Sequence, residues 1–160
     1  MWLHMRILVL SDSHENIENM CIAVERSHPD LILHLGDYVR DGEALQIHFP
    51  DIRLLQVEGN CDAYDTHRAP LWRLHEVDGH RIFFTHGHYY YVKYDLLHLR
   101  FAAEEQNADL ALFGHTHIPC CETVGELTLL NPGSIGSGAH PSYAIIETSE
   151  KEFKTSIFYI

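Results

Sequence analysis

The stretch Met5-Arg6-Ile7-Leu8-Val9-Leu10-Ser11-Asp12-Ser13-His14 decides how this chain is read. Its apolar run from Ile7 to Leu10 shows no polar alternation, as expected of a strand covered on both faces in a parallel sheet. The run ends abruptly at Ser11-Asp12-Ser13-His14. Beyond it, Ile17, Met20, Cys21 and Val24 recur at i, i+3, i+4 and i+7. That spacing predicts a helix, with Asn16 as its N-cap and Pro29 as its stop through the restriction it puts on His28. Leu31 to Leu35 repeat the buried-strand pattern up to Gly36-Asp37, a short helix from Glu43 to His48 ends at Pro50, and Ile52 to Val57 make a third strand ending at Gly59-Asn60-Cys61-Asp62. This β-α-β-α-β order implies parallel strands joined by right-handed crossovers. Met1 to His4 precede it without a pattern, and Met5 could itself be the original start.

Farther along, Tyr64 to Pro70 read as a loop. Leu71 to Val77 and Arg81 to Thr85 flank Asp78-Gly79, a two-residue hairpin signal. The second of these strands ends at His86-Gly87-His88, and Tyr94 to Glu105 read as another helix. Leu110 to Phe113 form a short strand closed by Gly114-His115-Thr116-His117. If that turn stays extended, His115 and His117 project the same way. The remainder alternates strands and turns: Cys120 to Val124, Leu127 to Leu130, the turn Asn131-Pro132-Gly133-Ser134, Tyr143 to Thr148 and Phe153 to Ile160. The chain shows no repeat, linker or low-complexity segment, so 1–160 is read as one domain.

Its 160 residues are enough for a substantial core, and a hydrophobic fraction of 46% with 21% charged is that of a soluble globular protein. With 11 basic and 23 acidic residues, the formal net charge of -12 argues against nucleic acid or an anionic membrane as a partner. A small phosphate ester stays allowed, because a local metal charge outweighs the global field. Cys21, Cys61, Cys120 and Cys121 form no C-x-x-C pair and no disulfide framework, and no apolar run spans a bilayer or resembles a secretion signal. A cytoplasmic setting is expected. Oligomeric state stays open, a homo-oligomer included.

Strand ends in succession deliver potential metal ligands: Asp12-x-His14, Asp37, Asn60, His86 and His115-x-His117. In open α/β sheets, sites assemble at the carboxyl ends of strands. This ordered set resembles the calcineurin-like metallophosphoesterase family, whose pattern is D-x-H, then G-D, then G-N-[HC]-[DE], then H, then G-H-x-H. The small size, the G-N-C-D variant and the N-P-G-S turn resemble its compact phosphodiesterase branch. The resemblance covers nearly the whole chain from Met5. It implies an α/β fold of two packed mixed β-sheets flanked by helices, a four-layer α/β/β/α sandwich.

The resemblance also implies a metal-dependent phosphoesterase with two divalent ions. Asp12, His14 and His117 would hold the first, Asn60, His86 and His115 the second, and Asp37 would bridge them. Two divalent ions bring +4, the two aspartates -2 and a bridging hydroxide -1, leaving about +1 to draw in a phosphate. In-line attack by the hydroxide on a phosphodiester is the implied reaction. Manganese is the first expectation, with nickel, iron, zinc or magnesium as alternatives, since mixed O/N ligands do not choose among such ions. The alternatives in function are a phosphomonoesterase and a non-catalytic protein-binding scaffold on the same fold. Such scaffolds typically have ligand positions replaced, and here all are filled.

Cys61 departs from the His that many phosphatases of the family carry there to protonate a leaving group. Asp62, which could orient such a His, then loses its obvious job. Diesters or good leaving groups are therefore expected to be preferred over alkyl monoesters, although Cys61 also reads as a small buried filler. Arg40 is open between facing a substrate phosphate and a solvated or capping role. Tyr89 to Tyr91 are open between lining an aryl pocket and packing, and His88 between meeting substrate and supporting His86. The remaining histidines among the 14 lie outside the pattern, with His34 read as a hydrogen-bonded core residue.

Overall fold

Ile7 and Val9 leave the first strand toward one apolar cluster, and Leu8 and Leu10 toward another. Both faces are covered, which is why that run has no polar alternation. The computed structural model describes residues 4–160. Met1 to Leu3, and with them the choice between Met1 and Met5 as a start, lie outside the described residues. Along the chain come β1 (Met5–Leu10), α1 (Ile17–Ser27), β2 (Leu31–His34), α2 (Val39–His48), β3 (Arg53–Gln56), β4 (Trp72–Val77), β5 (His80–Thr85), α3 (Leu97–Glu105), β6 (Leu110–Leu112), β7 (Cys120–Val124), β8 (Leu127–Asn131), β9 (Ser142–Thr148) and β10 (Phe153–Tyr159).

The strands form two five-stranded mixed sheets, ordered β10-β9-β1-β2-β3 and β4-β5-β6-β8-β7. Within the first, β1, β2 and β3 are parallel; within the second, β5, β6 and β8 are parallel. Ile7, Val9, Leu33, Val57, Ile82, Phe84, Leu112 and Ile146 pack between the sheets. Leu8, Leu10 and Ile32 pack outward with Met20 and Val24 of α1 and Leu45 of α2. Phe83, Ala111 and Leu129 pack against Leu99 and Ala103 of α3. The expected four-layer sandwich is present. Among the described residues, no helix is long and apolar enough to cross a membrane.

Strand limits differ from the sequence reading by at most one residue at each end. Asn16 caps α1 by accepting from the Asn19 amide at 3.0 Å, and His28 closes it in the left-handed region. Asp78 and Gly79 have φ of 50° and 79°, the twist the hairpin requires. Two helices start elsewhere than expected. α2 begins at Val39 and runs through Gly42, where the missing Cβ makes room for Gln56: a Cβ there would meet Gln56 Oε1 at 2.2 Å. α3 begins at Leu97, after Asp95 Oδ1 takes the Leu97 amide at 3.0 Å.

The inter-sheet layer carries the stability of the fold. Phe84→Ala empties a fully buried ring site there. It is expected to cost ~3–5 kcal/mol. Urea unfolding with an unchanged m-value measures it; a loss below about 1 kcal/mol would show that the two sheets do not depend on each other.

Candidate metal centre

Loops at the carboxyl ends of β1, β2, β3, β5 and β6 meet at one edge of the sandwich. The Asp12 amide donates to the Gly36 carbonyl at 3.0 Å, and Gly114 N donates to His86 O at 2.9 Å, so the loops pair within each sheet. His86 is one of the side chains that tie the sheets together here. His86, fully buried at the end of β5, places Nδ1 2.7 Å from the carbonyl of Leu35 beyond β2. A carbonyl only accepts, so Nδ1 carries a proton, and in the neutral ring it is the Nε2 lone pair that faces the site.

That lone pair faces other acceptors. Nε2 of His86 lies 3.1 Å from Asn60 Oδ1, 3.4 Å from Asp37 Oδ2 and 3.8 Å from Asp12 Oδ1. Asp12 Oδ1 is also 3.1 Å from His117 Nε2 and 3.8 Å from His14 Nε2, and His14 Nε2 is 3.9 Å from Asp37 Oδ2. Asp12 Oδ1 and His14 Nε2 are both buried and accept or donate no hydrogen bond. Atoms bound about 2.1 Å from one ion lie up to about 4.2 Å apart, so these separations and this oxygen–nitrogen donor set fit divalent metal ions. Asp12–His14–His117 and Asp12–Asp37–His86 each bring one ligand atom per residue within 4.8 Å of the others, and a third group, His14–Asp37–Cys61, adds a thiol.

The unused oxygens of both aspartates are held by donors. Asp12 Oδ2 accepts from Ser11 Oγ at 2.6 Å and from the His115 amide at 3.0 Å. Asp37 Oδ1 accepts from the Cys61 amide at 3.0 Å. These contacts explain two glycines: a Cβ on Gly114 would meet Ser11 Oγ at 2.0 Å, and one on Gly59 would meet Asp37 Oδ1 at 2.1 Å. Burial favours the neutral form of Asp12, yet the His117 and His14 imidazoles hold its carboxyl well below the usual range. Burial likewise opposes ionisation of Asp37, while His86 brings it down to about 2. The same carboxylates act on the imidazoles. His14 keeps its proton above the ordinary range because of Asp12, and His86 does so through Asp37 and Asp12 despite its burial. His115, buried and close to His86, is pushed down to about 4.

Asp12, His14, Asp37, His115 and His117 all have positive φ, between 44° and 69°. Such backbone costs roughly 1–3 kcal/mol per residue and persists where its surroundings over-determine it. The Gly-His-Thr-His turn is therefore not extended, and its histidines diverge. His117 packs against His14 with ring centroids 5.2 Å apart, and His115 against His86 at 5.1 Å. Asn131 enforces the turn by donating to Gly114 O at 3.2 Å and Thr116 Oγ1 at 3.0 Å. Ser134, at the end of the Asn-Pro-Gly-Ser turn, donates to the Asp12 carbonyl at 2.8 Å.

Residues expected farther from the ions take distinct places. Asp62 receives the amides of Val39 and Gly59 at 2.8 Å and of Asp37 at 3.1 Å, so it holds the loops rather than facing the opening. Cys61 is exposed, 3.7 Å from Asn60 Nδ2, and burial of its thiol together with Asp37 pushes the pKa up to about 11. Arg40 pairs with Glu15 at 2.8 Å and lies 4.9 Å over the Tyr38 ring. His88 stacks beside His86 at 5.4 Å, and Tyr89, 62% exposed, beside His88 at 4.5 Å. His34 is a core residue 3.1 Å from Ser13 Oγ, as read.

Sequence reasoning missed the buried set beneath Asp12 and His14. Ser13 Oγ donates to Asp41 Oδ2 at 2.7 Å, and the same oxygen takes the Glu15 amide at 2.8 Å. Ser137 Oγ, 3.1 Å from His117 Nδ1, leaves Nε2 free to face Asp12. Their only signal is position next to the motifs, since their partners are distant in the chain.

The chain is similar to known proteins over most of its length. The model for the calcineurin-like phosphoesterase superfamily domain matches residues 5–151. A probable metallophosphoesterase of Bacillus subtilis, YsnB, is 34% identical over 161 residues, covering 97% of this chain and 90% of its own. The phosphodiesterase YfcE of Escherichia coli K12 is 27% identical over 169 residues, covering 89% and 88%. A crystal structure from Streptococcus pneumoniae TIGR4, described as a predicted phosphoesterase, superposes with a TM-score of 0.81 at 29% identity, covering 98% of this chain and 90% of that one.

Protons and metal compete for the same imidazole nitrogens. His14, with its pKa raised, starts to take a proton above its ordinary value of 6.5, whereas His115 stays neutral down to about 4. Metal affinity is thus expected to weaken as pH falls through His14 and His86, whose proton affinities are raised, beginning above about pH 6.5, while His115 contributes to the loss only near pH 4. Metal content after dialysis across pH 4–8 checks this; full occupancy of all ligand groups down to pH 5 would contradict it.

Proposed function

The chain belongs to the calcineurin-like phosphoesterase superfamily, and on that basis we propose that it hydrolyses phosphodiesters at a dinuclear metal centre. The observation that carries this reading is the convergence of Asp12 Oδ1, Asp37 Oδ2, Asn60 Oδ1, His14 Nε2, His86 Nε2 and His117 Nε2 on one space. Asp12, His14 and His117 would hold one ion, and Asn60, His86 and His115 the other. Asp37 Oδ2, between His14 and His86, would serve both. When bound, two divalent ions supply a water of lowered pKa and a clamp on the phosphoryl oxygens. Manganese is the first candidate, and a cytoplasmic setting accords with the free cysteines.

The chain's own residues do the positioning. Asp62 locks the Asp37 and Gly59 loops, and His86 fixes one sheet against the other, so the ligand atoms hold their spacing before substrate arrives. Next to Asn60 stands a thiol pushed up to about 11, which is a poor proton donor for an alkoxide compared with an imidazolium. A diester with a good leaving group needs no such donor. That supports diester over monoester chemistry. The filled ligand set favours an enzyme over a binding scaffold.

Two substitutions test the reading. Asn60→Ala, at an exposed position, is expected to lower kcat/KM for bis(p-nitrophenyl) phosphate by about 100-fold or more and to lower metal content toward one ion per chain; activity within a few-fold of the parent would remove the two-ion claim. Cys61→His is expected to raise the monoester-to-diester ratio of kcat/KM by about tenfold or more. A ratio that stays constant would show that position 61 does not set the preference.

A further inference from the structure

An open cleft of about 540 Å³ begins at His117 and runs away from the metal centre between Ile118, Pro119, Ala139, His140 and Tyr159. We propose that this cleft binds one ester arm of the diester, and that the arm is an uncharged aryl or heteroaryl group. The proposal rests on the phosphodiesterase reading above and adds the chemistry of the substrate to it.

His117 joins the two places. Its Nε2 faces Asp12 Oδ1 at 3.1 Å, its Nδ1 is 3.1 Å from Ser137 Oγ, and the ring between them forms the cleft's inner wall. A phosphoryl group held at the metal centre would lie beside the mouth of the cleft, so one of its ester arms could enter it. The size falls within the range of small-ligand sites. Among the described residues, no lysine, arginine, aspartate or glutamate lines it. In a chain of net charge -12, an anionic arm would find no counter-charge there, whereas a flat apolar arm meets Ile118, Pro119, Ala139 and the Tyr159 ring.

Ile118 is 66% and Tyr159 56% exposed, directly beside the candidate ligands. The walls are also held in place. Ser137 N donates to Ser134 Oγ at 2.9 Å, the hydroxyl that donates to the Asp12 carbonyl, and Ile160 N donates to Pro141 O at 3.0 Å. A second apolar cleft of about 490 Å³ lies on the other side of Ile118, but it contains Lys93 and none of the metal-centre side chains.

The test compares phenyl p-nitrophenyl phosphate with methyl p-nitrophenyl phosphate, which share a leaving group and differ in the second arm. Half-burying a phenyl ring is expected to give the manganese-loaded protein a phenyl-to-methyl ratio of kcat/KM of about tenfold, carried by KM. Ala139→Asp and Ile118→Asp, both at exposed positions, are each expected to bring that ratio near unity. Because the ratio is taken within each protein, a general loss of activity cancels, and circular dichroism verifies folding. Methyl-ester turnover with a ratio near unity in the parent, or with a ratio unmoved in both variants, would overturn the cleft assignment and leave the phosphodiesterase reading standing. No hydrolysis of either diester by the manganese-loaded parent would overturn both.

Discussion

Asp12 and Asp37 put two carboxylates into the interior, 0% and 2% exposed, with their free oxygens turned toward one shared space. Burying one ionised carboxylate is already costly, and a second beside it adds repulsion. The arrangement holds only with positive charge between them, from imidazolium protons or from metal ions. Everything at this edge of the molecule answers that demand. The imidazoles of His14, His86 and His117 surround the pair, the proton affinity of His14 and His86 is raised, and the remaining carboxylate oxygens are saturated by a hydroxyl and amides.

This constraint explains why so much of the neighbouring backbone is left-handed. Aspartate and histidine tolerate positive φ better than branched residues, but the positions still need support. Support comes from polar groups buried just below. Asp41 and Ser13 hold the β1 loop, Asp62 gathers three amides from the β2 and β3 loops, and Asn131 with Ser134 backs the turn after β6. Each is satisfied by partners far along the chain. The site is thus part of the fold's own hydrogen-bonding, and the two sheets meet through His86 and Leu35 at the place where function is concentrated.

The chain as a whole is acidic, while its proposed substrate is an anion. Local charge resolves the conflict. Divalent ions held on two carboxylates and neutral nitrogens would make a small positive region that the distant surface acids, screened by solvent, do not cancel. Among the described residues, no lysine, arginine, aspartate or glutamate lines the cleft beyond His117, so selection proposed there would work through shape and apolar contact rather than through a fixed charge.

Much of this was legible in order along the chain. Unbroken apolar runs such as Ile7 to Leu10 and Leu31 to Leu33 announced strands covered on both faces, and the Asp, Asn and His residues after them announced a metal site. These signals are local: strand burial and ligand type depend on a few consecutive residues. From the residues alone the division of labour among identical side chains was not legible; the family resemblance implied it for Asp12, Asp37, His115 and His117, and gave no role to Asp41. Asp12, Asp37, Asp41 and Asp62 are all buried aspartates, yet Asp41 and Asp62 are clamps, while Asp12 and Asp37 keep an oxygen facing the imidazoles. His115 and His117, two residues apart, go to opposite sides because the turn coils. A carboxylate oxygen becomes a ligand when no amide reaches it, and which amides reach it is decided by residues dozens of positions away. The sequence by itself therefore determined the layers and the kinds of donor atom. Only the tertiary structure decided which donors are left free, because hydrogen bonds are satisfied in space and not along the chain.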